Sequence, residues 1–247
     1  MSAAIKVSVS EYFLNSKSHK PRAPRTRLAD RILPDYTRGE EIFNMVTHIV
    51  GGAFGIAALV LCVVKCALAH DVWGVVSSAI YGASLIVLYT MSSVYHGLHI
   101  SMGKKVMQVI DHCTIYFLIG GTYTVIVLAG IRRIHPGWAW TLFGIVWGFS
   151  CLGAVFTAID HNKYKKLSMI CYIAIGWSII IAIKPTIEAI GIAALLWILG
   201  GGVLYTIGAV LYVRGKKKQI RYMHSIFHIF VLLGSFLQFI AVYFCIL

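Results

Sequence analysis

Apolar residues run in seven long blocks separated by short polar clusters: residues 42–64, 72–99, 107–131, 137–159, 167–183, 189–213 and 222–247. Crossing the ~30 Å hydrocarbon layer of a membrane takes about 20 apolar residues in a helix. Each block approaches that length, and the fifth, ending at Lys184-Pro185, is the shortest. In lipid the backbone has no water to bond, so such runs fold as helices that satisfy it internally. None alternates with the period of two that a barrel strand requires. The pattern predicts an all-α integral membrane bundle of seven transmembrane helices.

Composition agrees. Apolar residues make up 59% of the 247 and charged residues 13%, against about 45–50% and ~25% in soluble domains. The net charge of +13 sits in short clusters between apolar blocks, which is a topology signal, and no nucleic-acid partner is expected. Eighteen Lys/Arg fall before the first block or in the 2–3, 4–5 and 6–7 connections, and four (Lys65, Arg132, Arg133, Lys184) on the other side. Positive charge stays inside, so the N-terminus is expected in the cytoplasm and the C-terminus outside.

Residues 1–39, basic and carrying Pro21, Pro24 and Pro34, read as a cytoplasmic tail that is disordered or lies on anionic headgroups. Residues 40–247 read as one membrane domain. With a long polar stretch before it, the first block is expected to act as an uncleaved signal anchor. All six cysteines lie in or at the ends of apolar blocks without a CxxC pair, and are read as small buried hydrophobes. Glycines at Gly51/Gly55, Gly144/Gly148 and Gly200–Gly202 are spaced for close helix packing.

Against this apolar background a few polar residues stand out. His224 and His228 lie one helical turn apart in the last block, on one face. Counted at ~1.5 Å per residue from the flanking basic residues, His224, His228, His96 and Asp111 lie about 5–12 Å below the cytoplasmic boundary. Ionisable groups inside a membrane are costly and mark functional sites. Three neutral imidazoles suit Zn²⁺ with a fourth position left for water, whose pKa then falls towards 7. Asp111 is placed to accept that water's proton or to be a direct ligand. Ser92, one turn before His96, is placed to polarise a substrate carbonyl. Glu41, Asn44 and His48 form a stripe on the first block, read as residues that orient the ligands or the substrate. His48 is also a competing fourth ligand. Each has a plainer reading: hydrogen-bonding histidines, Asp111 as a helix cap beside Lys104 and Lys105, and Glu40-Glu41 as an acidic helix start. His99 and His112, near the interface, are set aside as facing away.

The blocks Glu41-x-x-Asn44-x-x-Thr47-His48-x-x-Gly51, Ser92-Ser93-Val-Tyr95-His96, Asp111-His112-Cys-x-Ile115-Tyr116, Gly121-Thr122-Tyr123-Thr124 and His224-Ser-Ile-x-His228 resemble the haemolysin III family. That family belongs to the progestin and adipoQ receptor group, with adiponectin receptors and alkaline ceramidases as wider relatives. The resemblance implies seven helices, zinc on His96, His224 and His228, and Asp111 near the bound water. It also implies a multi-pass protein of a bacterial inner or plasma membrane. At Val125, where many members carry proline, the chain departs, so no proline kink follows there.

These observations lead to a zinc-dependent hydrolase of a lipid-like amide or ester, with Asp111 moving the proton and Ser92 stabilising the oxyanion. Its partners are then membrane lipids and a lipid-like substrate. A receptor or regulator of membrane state, with zinc as a staple, is the alternative. A cytolysin or channel ranks last, because no block carries the polar stripe of a water-filled pore.

Overall fold

The structure, a computed structural model, describes residues 25–247. Among these residues there is no strand. The α-helices are α1 (Arg38–Leu68), α2 (Val72–Gly97), α3 (Met102–Val125), α4 (Pro136–Gly176), α5 (Ile183–Lys218) and α6 (Met223–Ile240). Five helical tracts are long and apolar enough to cross a membrane. The fourth, Pro136–Lys218, runs for 83 residues and takes in three of the blocks that the sequence sets apart. It is broken at Asp160 (φ −155°, ψ 90°), through the 3₁₀ turn Ser178–Ala182, and at Gly191 (φ 80°).

Local chemistry explains where the helices begin. Thr37 and Glu40 form a reciprocal capping box at α1: the Thr37 side chain accepts from Glu40 N–H, and the Glu40 carboxylate from Thr37 N–H at 2.8 Å. That satisfies two N–H groups otherwise left open at a helix start. Ser101 caps α3 by accepting from Lys104 N–H, and Pro136 opens α4, where its missing N–H costs nothing.

On α1 the buried residues are Glu40, Asn44, His48, Gly51, Gly55, Ala58, Cys62 and Cys66. They recur every three or four positions, so polar and small groups face the bundle. Ile42, Val46, Ile49, Val60 and Val64 stay exposed on the other side, as suits a helix solvated by lipid tails. The tract Met102–Arg133 is the centre of the bundle, with 83% of its apolar window buried against 28% for α1. After Val125 it widens into a π turn, Ile126–Gly130, and ends in the 3₁₀ turn Ile131–Arg133. The axis is thus perturbed without proline, by a wide turn of the kind often placed near functional sites.

Small residues bring α1 and α2 together. A Cβ on Gly55 would stand 3.1 Å from Ile86 N, and one on Gly82 2.5 Å from Leu59 Cβ. Gly201 packs equally close, 2.9 Å from Gly234 O. Gly144 and Gly148 do not: nothing lies within 4 Å of either added Cβ, so their spacing reflects no helix contact. Cys151 likewise is exposed, where burial was expected.

The tail also differs from expectation over its described part. Residues 25–37 cross the end of the bundle that holds Asp160, Lys105 and Arg221. Thr26 N–H donates to Asp160 Oδ2 at 2.8 Å, Lys105 Nζ donates to Ala29 O, and Arg221 Nη1 donates to Asp35 O at 2.7 Å. Arg31 is buried. Each of these anchors lies on a different part of the bundle, so the segment is a strap over its end. The tail's first 24 residues lie outside the described residues.

Candidate metal centre

The strap and the helix starts converge on three histidines. Tyr222 adopts the left-handed conformation (φ 61°) and its N–H donates to Glu40 Oε1 at 2.7 Å. This turn starts α6 at Met223, placing His224 and His228 on successive turns of one face. His96 arrives from the end of α2. Its Nε2 lies 3.3 Å from His224 Nε2, and His228 Nε2 lies 3.1 Å from His224 Nε2. The three ligand atoms all lie within 4.8 Å of one another.

These separations fit a cation. Two nitrogens bound tetrahedrally at about 2.0–2.1 Å stand about 3.3–3.4 Å apart. A neutral imidazole has one donor and one acceptor nitrogen. Glu41 Oε2 lies 2.6 Å from His96 Nδ1, which makes Nδ1 the donor and turns the Nε2 lone pair into the cluster. A carboxylate behind a metal-binding histidine plays this orienting part. The Nδ1 atoms of His224 and His228 have no protein partner. Three histidines in this arrangement are close enough to hold a metal ion.

Glu41 is itself fixed by Lys104, whose Nζ donates to Glu41 Oε1 at 2.7 Å and to Leu98 O at 2.8 Å. The buried ammonium and the half-buried carboxylate thereby tie α1, α2 and α3 together behind His96. The cost of burying the Lys104 charge is offset by the carboxylate and by the second bond to Leu98 O.

The other predicted residues distribute as follows. His48 stacks face to face on His228, ring centroids 3.7 Å apart and 13° from parallel, and lies outside the convergent group. Asn44 is fully buried one turn away, its amide without a protein partner. Asp111 is also outside the group, its Oδ2 3.7 Å from His112 Nδ1. A cavity of about 170 Å³ is lined by Ser92, Asp111, His48, His224 and His228 at its polar end, and by Leu118, Ile119, Ile126, Ile198 and Val231 elsewhere. His96, Glu41 and Asn44 lie off its wall.

Four residues of this neighbourhood were not singled out in the sequence. In the sequence Lys104 reads as topological charge and as a neighbour of Asp111. His112, set aside as facing away, lines the same cavity. Tyr212 lines it too, its ring 5.2 Å from that of His224. Tyr36 stacks on His224, centroids 5.0 Å apart and 8° from parallel, and lies 5.8 Å from the His96 ring. Burial pushes the Tyr36 phenol well above its ordinary range, so it remains a neutral O–H group. For Tyr36 a signal existed: the Thr37-x-x-Glu40 capping box fixes the residue before it at the entry to α1.

A multi-pass helical membrane protein with a buried histidine cluster at one end is the class that fold and site define. Residues 36–239 match the model of the family described as Haemolysin-III related, and the chain belongs to that family. It is 36% identical over 208 residues to Hemolysin-3 of Bacillus cereus, covering 84% of this chain and 92% of that one. It is 35% identical over 212 residues to the Hemolysin-3 homolog of Bacillus subtilis (strain 168), covering 86% and 95%. The monocyte to macrophage differentiation factor of Homo sapiens is 26% identical over 215 residues, 83% of each chain. The family resemblance read from the motif blocks is thereby borne out.

Proposed function

We propose that this protein is a zinc-dependent hydrolase that cleaves a lipid-like amide or ester from within the membrane, with His96, His224 and His228 holding the ion. The observation that carries this reading is the convergence of three Nε2 atoms beside an apolar cavity that also presents a carboxylate. Zinc bound there supplies Lewis-acid polarisation of a carbonyl and an acidified water. The chain's own residues do the rest. Glu41 holds the His96 ring in its tautomer, and Lys104 holds Glu41. Asp111, on the cavity wall, takes up the proton of the attacking water and returns it to the leaving group. The Ser92 hydroxyl donates to the developing oxyanion. The apolar wall receives the hydrocarbon part of the substrate and excludes bulk water, so a membrane lipid is the expected partner.

Seven crossings, N-terminus inside, are part of the proposal. At ~1.5 Å per residue an 83-residue tract is about 125 Å long, some four times the hydrocarbon thickness. Its breaks at Asp160 and near Ser178–Gly191 divide it into three crossings. The polar contacts between connections support this division. Thr26–Asp160 and Asp35–Arg221 join residues placed at the cytoplasmic end, whereas Arg133–Asp71 and His135–Glu188 join residues placed at the other. The bacterial relatives point to the plasma membrane.

Purified protein incubated with labelled N-acyl lipids and lipid esters tests the activity. Zinc-dependent release of acyl chain by the wild type, reduced by at least about 100-fold in Asp111→Ala, is the expected result for loss of a general base. A second reading, a receptor whose metal staples helices, is favoured by the fact that the three imidazoles come from two helices far apart in sequence. Full metal occupancy with no turnover of any lipid would decide for it. The relatives' name suggests a cytolysin, but the apolar lining of the cavity favours neither a pore nor a channel.

A further inference from the structure

His224 and Tyr212 each line two cavities. The inner one is the apolar chamber described above. The outer one, about 380 Å³, is bounded by Pro34, Asp35, Tyr36 and Glu40 on one side and by Lys216 and Arg221 on the other. Its roof is therefore the strap, and its floor is the face of His224. Tyr36 is the strap residue that reaches this floor, lying flat on the His224 ring.

Four anchors hold the strap, Lys105 through Ala29 O and three more, and none belongs to the histidine cluster. Asp160 accepts from Thr26 N–H, and also from Lys163 N–H at 3.1 Å within its own kink. Arg221 donates to Asp35 O. Glu40 bonds both Thr37, where the strap ends, and Tyr222, where α6 begins. The segment has no regular helix of its own after Asp30 and is held by single hydrogen bonds, one of them at the exposed Asp35. A segment held by a few of them opens far more often than the bundle unfolds.

We propose that residues 25–37 are the cytoplasmic cover of the metal centre proposed above, that Tyr36 is its positioning residue on His224, and that the polar cavity beneath is the port for a divalent cation and water. The ring does two things in this position. It fixes the plane of a histidine whose Nδ1 has no protein partner, and it separates the His224 edge from the cytoplasm. The inner chamber, with its apolar wall, offers no comparable polar route. At the rim Asp35 and Glu40 each lie 3.5 Å from Arg221, and Lys216 stands beside them, so the port is polar and offers carboxylate oxygens without a net charge of one sign.

Two measurements on the full-length protein test this. The first is the rate at which excess chelator removes zinc from loaded wild type, Tyr36→Ala, Tyr36→Phe and Asp160→Asn. Loss of an aromatic stacking contact is expected to speed release by several-fold to about tenfold in Tyr36→Ala. Tyr36→Phe, which keeps the ring, should release zinc like the wild type, and Asp160→Asn, which loosens the strap, should be faster. Each variant should still bind one zinc at equilibrium. Equal release rates in wild type and Tyr36→Ala would overturn the cover. The second measurement needs no metal: acylation of His224 by diethyl pyrocarbonate, followed by peptide mass spectrometry on metal-stripped protein. Faster modification of His224 in Tyr36→Ala and Asp160→Asn is expected, and unchanged rates reject the proposal. A wild type that takes up no zinc would defeat the metal centre alone, and the acylation rates would still decide about the cover.

Discussion

Glu41 is the residue on which the geometry of His96 depends. Its two carboxylate oxygens serve His96 Nδ1 and Lys104 Nζ separately, at 2.6 and 2.7 Å. Glu41→Gln keeps the shape but replaces one acceptor oxygen by an N–H donor and removes the charge. Loss of such an orienting partner typically weakens metal binding by about 10–100-fold. A competition titration against a chromophoric chelator should find Glu41→Gln in that range with one zinc still bound at saturation, whereas His224→Ala should bind none. Much of this was legible in the sequence. His224 and His228 are a spacing signal, and Glu41 and Asn44 share their stripe with His48. Lys104 was not legible, because a lysine after a membrane segment is ordinarily a topological charge. Only the fold, which sets the start of α3 beside the start of α1 across the end of α2, brings it to Glu41.

At the scale of the helices, close contact is decided by which side of each helix is turned to a neighbour. Sequence spacing alone treats Gly51/Gly55 and Gly144/Gly148 alike. In the structure the first pair lies in a helix seam and the second faces open space. The rotation of α4 about its axis is the missing information, and its nearly uniform apolar content supplies no stripe to set it. This difference predicts opposite outcomes. On Gly82→Ala the new Cβ meets Leu59 backbone and side chain at 2.5–2.6 Å, so thermal unfolding in detergent should report a destabilisation of about 1–3 kcal/mol, typical of overpacking. Gly144→Ala meets nothing and removes the conformational entropy of a helical glycine, so it should be neutral or stabilising by about 0.5–1 kcal/mol. The π turn after Val125 belongs to the same class of hidden feature, since no proline or glycine pair announces it.

At the scale of the whole molecule, the all-helical, membrane-spanning character expected from the apolar blocks is met, with five helical tracts long and apolar enough to cross among the described residues in place of seven separate ones. The division of the tract Pro136–Lys218 into three crossings, as proposed above, depends on topology rather than on hydropathy. In a cysteine-free background, Glu188→Cys should react with a membrane-impermeant maleimide added to intact cells, and Lys163→Cys should react only after permeabilisation. Labelling of both positions from outside would remove the fifth crossing. The strap escaped the sequence reading for a related reason. Its composition, basic and proline-containing, suits a solvated tail, and apart from Glu40 its anchors are single residues more than 70 positions away.

Those distances along the chain also order events in time. Residues 25–37 leave the ribosome early, yet two of their docking points, Asp160 and Arg221, are made after most of the protein has been inserted. Two of the three imidazoles follow Arg221 directly. Every distant docking point of the segment is therefore made before the last two imidazoles, so the segment can settle over the cluster as soon as the cluster is complete.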